Sequence, residues 1–296
     1  LGLIPYNLFF NSKADIYHFF NFIIPPRIKG KVVNTVYDMV YIRYPETMSK
    51  PTYNIHKKNL KRSCEDADVI LTISENTKNE ITEFMEISPD KIEIAYPAVD
   101  GDIFYPNKDF KLVKEKYSIN NEYILYFGTI EPRKNINSII KAFKILSEKN
   151  NDISLVLAGR KGWMYEEVFL LVRELGLEEK VIFTGYVAEE DAAALYSCAL
   201  AFVFPSLYEG FGIPPLEAMA CGTPVIVSNK SSLPEVVGDA GILVNALDIE
   251  NIAYEMDRLI YDDSLRREMS EKGLVQARKF SWEDSAKKVM DIYKAL

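Results

Sequence analysis

The strongest constraint on this chain is its alternation of short, continuously apolar runs with helical patterns. From Tyr123 onward there are six runs of strand length: Tyr123–Gly128, Ser154–Ala158, Val181–Thr184, Leu200–Phe204, Pro224–Val227 and Gly241–Val244. Their apolar residues follow one another rather than alternating with polar ones, as expected of strands covered on both faces. Helical stretches lie between them near Ile136–Glu148, Tyr165–Leu175, Glu189–Ser197, Pro215–Ala220 and Leu233–Val237. In the first of these, Ile136, Ile139, Ile140, Phe143 and Leu146 fall on one face of a 3.6-residue repeat. Strands and helices alternating in this way build parallel sheets from βαβ units.

The first third reads similarly but more sparsely. Strands are predicted at Asp15–Phe20, Lys31–Asp38, Val69–Ser74 and Lys91–Ala95, with helices at Tyr53–Asp66 and Asn76–Phe84. The Ser74 hydroxyl is placed to cap the second helix. Val99–Lys108 is rich in Asp, Gly and Pro without periodicity, and reads as a linker. In the tail, Ser281 and Asp284 make a capping box, with Trp282, Ala286, Val289 and Tyr293 on one helical face. The chain's 296 residues suit two domains. The predicted division is residues 1–105, residues 106–280, and a helix over 281–296 packing back toward the first domain. Four strands are few for a doubly wound domain. The chain also opens Leu1-Gly2-Leu3 without Met, so the first domain is expected to be incomplete and to lack an N-terminal segment.

Charge and cysteine usage exclude some partners. Lys and Arg number 35 against 43 Asp and Glu, a net charge of −8, which argues against a nucleic-acid backbone as partner. The 18 Tyr and 16 Phe supply ample core and argue against disorder. Cys64, Cys198 and Cys221 are odd in number and match no zinc spacing. Cys198 and Cys221 sit in apolar surroundings, so buried free thiols are the expected reading, suited to a reducing cytoplasm. The longest apolar stretch, Ala192 to Tyr208, is broken by Ser197 and Pro205 and is too short to span a bilayer. The expected location is cytoplasmic, with the inner face of a membrane as an option. Lys57, Lys58, Lys61 and Arg62 with Tyr53 form a basic helical face able to touch anionic lipid or a lipid-diphosphate acceptor, against the competing reading of a solvated face. His56 beside them reads as surface.

Chemistry is expected at the C-terminal ends of the strands, where open α/β sheets bind ligands. The loop Gly128-Thr129-Ile130-Glu131-Pro132-Arg133-Lys134-Asn135 carries adjacent cations. Arg offers a planar fork and Lys a point charge, together a clamp for phosphate oxygens, although two solvated loop charges would look the same. The segment from Ser206 to Pro224 places Gly210 and Gly212 around Phe211, puts Pro215 in the first turn of a short helix that Gly222 can end, and brackets the loop with Glu209 and Glu217. A glycine loop entering a helix N-terminus presents N–H groups to an anion. Thr184-Gly185-Tyr186-Val187 ends a strand at the same edge, where main chain meets a flat base or makes an ordinary turn.

These motifs resemble a known family. GTIEPRKN at 128–135, VIFTGYV at 181–187, FPSLYEGFGIPPLEAMACGTPVIVS at 204–228, SLPEVVGDAGILV at 232–244 and FSW at 280–282 resemble the nucleotide-binding half of retaining GT-B glycosyltransferases of family GT4, glycosyl transferases group 1. DIYHFFN, TVYD, ADVILTISENTKNEI and VDGDIFYP extend the likeness through the first third. The resemblance implies two Rossmann-like parallel-sheet domains facing a cleft. It implies transfer of a hexose from a nucleotide-sugar, GDP-mannose first and a UDP-hexose next, to a saccharide or lipid-linked acceptor. It further implies that Arg133 and Lys134 hold the diphosphate, Glu217 takes the ribose hydroxyls, and Glu209 contacts the hexose. Main chain at Gly128, Gly210, Phe211, Gly212 and Ile213 would line the donor, with Gly185, Tyr186 and Val187 beside the base. His18, Tyr37 and Asp38 would face the acceptor, although many relatives carry His where this chain has Tyr37.

No cofactor and no metal are expected. Asp66-Ala67-Asp68 precedes a strand and Asp100-Gly101-Asp102 lies in the linker, and the resembling family works without a metal. Two other classes compete. A non-catalytic nucleotide-sugar-binding module would explain the incomplete first domain and Tyr37. An NAD-dependent oxidoreductase needs a Gly-x-Gly-x-x-Gly helix start, which is absent. The sequence does not specify an oligomeric state.

Overall fold

The computed structural model describes residues 14–107, 109–149 and 152–296. The opening Leu1–Leu3 and Lys108, the end of the predicted linker, lie outside them. The chain folds as two compact units. Unit 1 comprises residues 1–97, 209–211 and 281–296, and unit 2 comprises 98–208 and 212–280.

Unit 1 contains strands β1 (Ile16–Phe19), β2 (Lys31–Thr35), β3 (Val69–Thr72) and β4 (Ile92–Ile94). They pair in the order β1-β2-β3-β4, all parallel. Its helices are α1 (Val40–Arg43), α2 (Lys50–Asp66) and α3 (Glu75–Met85). Successive strand residues point to opposite faces, and neighbouring valines of β2 show it. Val32 packs with Ile70, Ile92, Leu60 of α2 and Ile81 of α3, whereas Val33 packs with Leu71 and Ile292. Ile292 belongs to the C-terminal helix Trp282–Ala295, so the sheet is covered on both faces. Ser74 caps α3 by accepting from the Thr77 N–H at 3.1 Å. Helix α2 starts at Lys50, earlier than the predicted Tyr53, because Ser49 accepts from the Thr52 N–H and Pro51 lies in the first turn. His56, read as surface, instead packs its ring 4.8 Å from Phe22 and 5.9 Å from Tyr41. It lies on the helix side of Leu60 and Ser63, which are fully buried.

Unit 2 contains the helix α4 (Lys111–Lys116), then strand β5 (Glu122–Phe127), helix α5 (Ile136–Ser147), β6 (Ile153–Ala158), α6 (Glu166–Glu174), β7 (Val181–Gly185) and α7 (Glu189–Ser197). It continues through β8 (Ala201–Phe204), α8 (Ile213–Ala220), β9 (Val225–Ser228), α9 (Leu233–Val237), β10 (Gly241–Val244), α10 (Ile249–Tyr261) and α11 (Asp263–Ala277). The last helix, α12 (Trp282–Ala295), belongs to unit 1. The sheet order is β10-β9-β8-β5-β6-β7, all parallel. The chain winds outward from β5 to β7, then returns to the far side of β5 and winds outward again. Every residue of β6, β8 and β9 is buried, which is why these strands read as unbroken apolar runs.

Helices α4, α10 and α11 fall outside the sequence reading. Asp248 and Asp262 cap α10 and α11 by accepting from Asn251 N–H at 3.0 Å and Leu265 N–H at 2.9 Å. The segment read as a linker is anchored on α7 within unit 2. Ser197 Oγ accepts from the Asn107 N–H at 2.9 Å, and Phe104 lies 6.2 Å from Tyr196. Ser281 caps α12 by accepting from Asp284 N–H at 3.2 Å. Trp282 stays 56% exposed, and Val289, Ile292 and Tyr293 carry the packed face.

Cys64 and Cys221 are buried and Cys198 is partly so, all as free thiols. Burial pushes the thiols of Cys64 and Cys221 up to about 12, so neither is a ready nucleophile.

The ends of β5 and β6 approach unusually closely. Gly128 N–H donates to Ala158 O and Gly159 N–H to Gly185 O, each at 2.9 Å. A Cβ on Gly159, whose φ is +137°, would stand 2.0 Å from Gly128 O. Gly159→Ala is therefore expected to cost about 3 kcal/mol of unfolding free energy, measured by chemical denaturation.

Candidate active site

The order of the second sheet makes β5 and β8 neighbours although they are far apart in sequence. The loops leaving these strands diverge at a topological switch point, the usual ligand crevice of such sheets. Both loops are held in place. After β5, Ile130 N–H donates to Arg160 O at 2.9 Å and Ile130 O accepts from Gly162 N–H at 3.0 Å. On the other side, Arg133 O accepts from Leu207 N–H at 2.9 Å and from Ser206 Oγ at 3.1 Å. The Arg133 guanidinium donates to Tyr208 O at 2.6 Å and to Glu131 Oε1 at 2.7 Å.

Lys134 is buried with its Nζ 4.9 Å over the ring of Phe204, the last residue of β8. A buried ammonium over a ring face gains cation–π attraction. Asn135 takes a left-handed conformation, φ 57°, which Asn tolerates. Its amide donates to Pro205 O at 3.1 Å and Ala246 O at 2.6 Å, while its Oδ1 accepts from Ser138 Oγ at 2.8 Å. The loop thus presents two cations on a rigid frame, with Glu131 offsetting part of the Arg133 charge.

Glu217 stands in the second turn of α8, whose first turn holds Pro214 and Pro215 and whose N-cap is Gly212. Its Oε2 accepts from Tyr196 Oη at 2.8 Å. Tyr196 is fully buried on α7 among Phe127, Phe202 and Phe104. Burial raises the Glu217 carboxyl from 4.5 to about 7; the Tyr196 hydrogen bond works against that rise and the charge of Glu189 adds to it. The carboxyl is therefore close to half-ionised near neutrality.

The remaining predicted residues divide between the units. Gly128, Gly185, Tyr186, Val187, Gly212 and Ile213 belong to unit 2, the first four at or just beyond strand ends and the last two at the start of α8. Tyr186 is 62% exposed, and the Arg160 guanidinium lies 4.4 Å over its ring. Arg160, Asn135, Gly159 and Tyr196 also frame the candidate site, and the sequence motifs assign none of them a role. Glu209, Gly210 and Phe211 group with unit 1, with Glu209 and Phe211 buried. Tyr37 and Asp38 follow β2. Tyr37 lies 5.5 Å from Phe22, and Asp38 Oδ1 accepts from Val40 N–H at 3.0 Å at the start of α1.

His18 is committed elsewhere in unit 1. Its Nδ1 pairs with Tyr293 Oη of α12 at 2.5 Å and its Nε2 with Thr35 Oγ1 of β2 at 2.7 Å. Phe20 stacks on the ring at 3.9 Å. Both ring nitrogens are engaged, so His18 ties α12 to the sheet. Burial lowers its basicity. A group whose folded-state value is depressed binds fewer protons in the native state. Its contribution is therefore complete above its ordinary value of 6.5 and declines as pH falls below it. His18→Gln is expected to flatten the loss of thermal stability between neutral and mildly acidic pH.

Glu217 acts in the opposite sense. Its native state holds the proton more tightly than the unfolded chain, so stability falls as pH rises from 4.5 to about 7. Glu217→Gln keeps an acceptor for Tyr196 and removes the buried charge. The variant is expected to gain about 2–3 kcal/mol above pH 7 and nothing at pH 4, measured by denaturation at both values.

Among the described residues, no group of three or more His, Cys, Asp or Glu side chains is placed to hold a metal, and no helix is long and apolar enough to cross a membrane.

The family model described as glycosyl transferases group 1 matches residues 108–276, more than half of the chain. O-antigen chain mannosyltransferase B of Escherichia coli is 38% identical over 288 residues, covering 96% of this chain and 75% of that protein. O-antigen chain mannosyltransferase RfbU of Salmonella typhimurium is 34% identical, covering 74% of this chain and 58% of that one. The serotype-specific mannosyltransferase WbdA of Escherichia coli is 35% identical over 94% of this chain, which spans only 35% of WbdA. Among solved structures, a sucrose-phosphate synthase from Thermosynechococcus elongatus superposes with a TM-score of 0.79 at 24% identity, over 91% of this chain and 68% of that one. Anabaena HepE, in complex with UDP and glucose, gives 0.77 at 19% identity over 90% and 72%. The chain belongs to the glycosyl transferases group 1 family and has the GT-B fold, and it is a glycosyltransferase.

Proposed function

We propose that this chain moves mannose from GDP-mannose to a saccharide or lipid-linked saccharide acceptor in polysaccharide assembly. In this reading the anomeric configuration is retained and no metal takes part. The observation that carries it is the loop after β5, which fixes Arg133 and Lys134 beside the start of β8's loop through hydrogen bonds on both flanks. The 38% identity to an O-antigen mannosyltransferase supports the choice of sugar.

Glycosyl transfer requires a departing diphosphate, so fixed positive charge must stand where negative charge develops. Arg133 and Lys134 supply it. Their frame is organised beforehand, so little reorganisation is needed when the bond to the anomeric carbon breaks. Glu217 accepts from the ribose hydroxyls, and Glu209 accepts from hydroxyls of the hexose. Main chain at Gly210, Phe211, Gly212 and Ile213 faces the sugar and phosphate, with Gly128 beside them. Gly185, Tyr186 and Val187 lie along the base, with the Arg160–Tyr186 stack extending that surface. Tyr37 and Asp38 are the acceptor-side candidates, and His18 contributes through the attachment of α12.

Calorimetric titration with GDP tests the donor half. Arg133→Ala and Lys134→Ala are each expected to weaken binding about 10–100-fold, the cost of a lost charge-assisted contact. Unchanged affinity in both variants contradicts the assignment. The ionised Glu217 carboxylate accepts ribose hydroxyls more strongly than the neutral acid, so affinity is expected to rise with pH to about 7 and then level off, with a proton released on binding below that point. Glu217→Gln removes that pH dependence. A nucleotide-release assay with GDP-mannose and a mannosylated acceptor tests transfer. Binding without release would favour the non-catalytic module.

A further inference from the structure

Tyr196 carries a hydroxyl that its packing does not require. The side chain is fully buried. Its ring lies 5.2 Å from Phe127 of β5, 5.4 Å from Phe202 of β8 and 6.2 Å from Phe104. A phenylalanine would fill this aromatic pocket without burying a polar group. The main chain on either side of the ring is held as well. Tyr123 Oη donates to Leu195 O at 2.6 Å, and Thr223 Oγ1 donates to Tyr196 O at 2.7 Å. The hydroxyl is therefore delivered to a fixed position.

Among the described residues its one acceptor is Glu217 Oε2, at 2.8 Å. Glu217 is half-buried on α8, and none of the described residues donates to its Oε1. One carboxylate oxygen is thus tied to the protein and the other is open to a ligand. A glutamate side chain is flexible, and holding it in one rotamer costs conformational entropy. A bond from a clamped tyrosine sets the carboxylate plane before any ligand arrives. A site arranged to accept from a substrate hydroxyl discriminates sharply against the analogue that lacks it, because its polar group is then left without a donor.

Several titratable groups act on this pair. Burial raises the Glu217 carboxyl, the Tyr196 hydrogen bond opposes that rise, and Glu189 in the first turn of α7 adds to it. Cys221, at the C-terminal end of α8, and Tyr126 of β5 are the others. Loss of the Tyr196 hydroxyl would therefore make Glu217 harder to ionise as well as freer to turn.

We propose that Tyr196 is a positioning residue whose hydroxyl holds Glu217 toward the ribose, so that the pair selects ribonucleoside over dideoxyribonucleoside diphosphates. The inference rests on the assignment of Glu217 to the ribose. Calorimetric titration of the full chain with GDP and with 2′,3′-dideoxy-GDP, below and above pH 7, tests it. Above pH 7 the unaltered protein is expected to prefer GDP about 10–100-fold. Tyr196→Phe is expected to cut that preference about 5-fold and to move the pH midpoint of GDP affinity upward, with the weaker dideoxy-GDP affinity retained. Fluorotyrosine in place of Tyr196, a stronger donor of nearly the same shape, is expected to move the midpoint downward. Glu217→Gln is expected to abolish the midpoint, and adding Tyr196→Phe to it should change the preference no further. A preference and midpoint unmoved by Tyr196→Phe, or equal weakening of both nucleotides, overturns the role of Tyr196. A midpoint unmoved by fluorotyrosine overturns it too, even where the phenylalanine variant does not fold. If the unaltered protein binds both nucleotides equally, or neither, the ribose assignment itself fails.

Discussion

The pairing of β5 with β8 is the constraint on which the rest of unit 2 depends. It joins strands separated by two full βα units, so the loops leaving them must diverge over the edge of the sheet. Hydrogen bonds with Arg160, Gly162, Ser206 and Leu207 then fix the backbone of the loop that carries Arg133 and Lys134. Position and electrostatics are settled together. The same guanidinium that can meet a diphosphate also holds Tyr208 O and is partly neutralised by Glu131. Loss of Arg133 therefore removes both a charge and a strut, whereas loss of Lys134 removes chiefly a charge.

Glu217 carries the opposite balance. A half-hidden carboxyl held by one tyrosine hydroxyl is raised well above its usual range. Such a group destabilises the fold when ionised, and that cost is recovered only if a ligand donates to it. Stability is commonly sacrificed at binding sites in this way. In unit 1 the histidines show the reverse. Burial lowers the basicity of His18 and His56, and both join elements within that unit.

Much of this was legible in the sequence, for physical reasons. Strands buried on both faces are mostly apolar, so β6, β8 and β9 stood out as unbroken runs, and the more exposed strands still lay near their expected places. Caps at Ser74 and Ser281 are local and depend on residues three positions apart. What escaped was either weakly periodic or distant. Helix α11 buries only Met269, Gly273, Gln276 and Ala277, too sparse an apolar stripe to stand out. The His18–Tyr293 pair spans nearly the whole chain. The Tyr196–Glu217 bond joins two helices across β8, so neither residue alone announces the raised carboxyl. Arg160 declares itself only when Tyr186 lies under it.

Crystals soaked with GDP-mannose would show whether a nucleotide-sugar diphosphate binds at the switch point between β5 and β8. Density is expected for the diphosphate against Arg133 and Lys134, with the ribose hydroxyls on Glu217 and the base beside Tyr186. A nucleotide bound at any other edge of the sheet, or with its ribose away from Glu217, would contradict this placement.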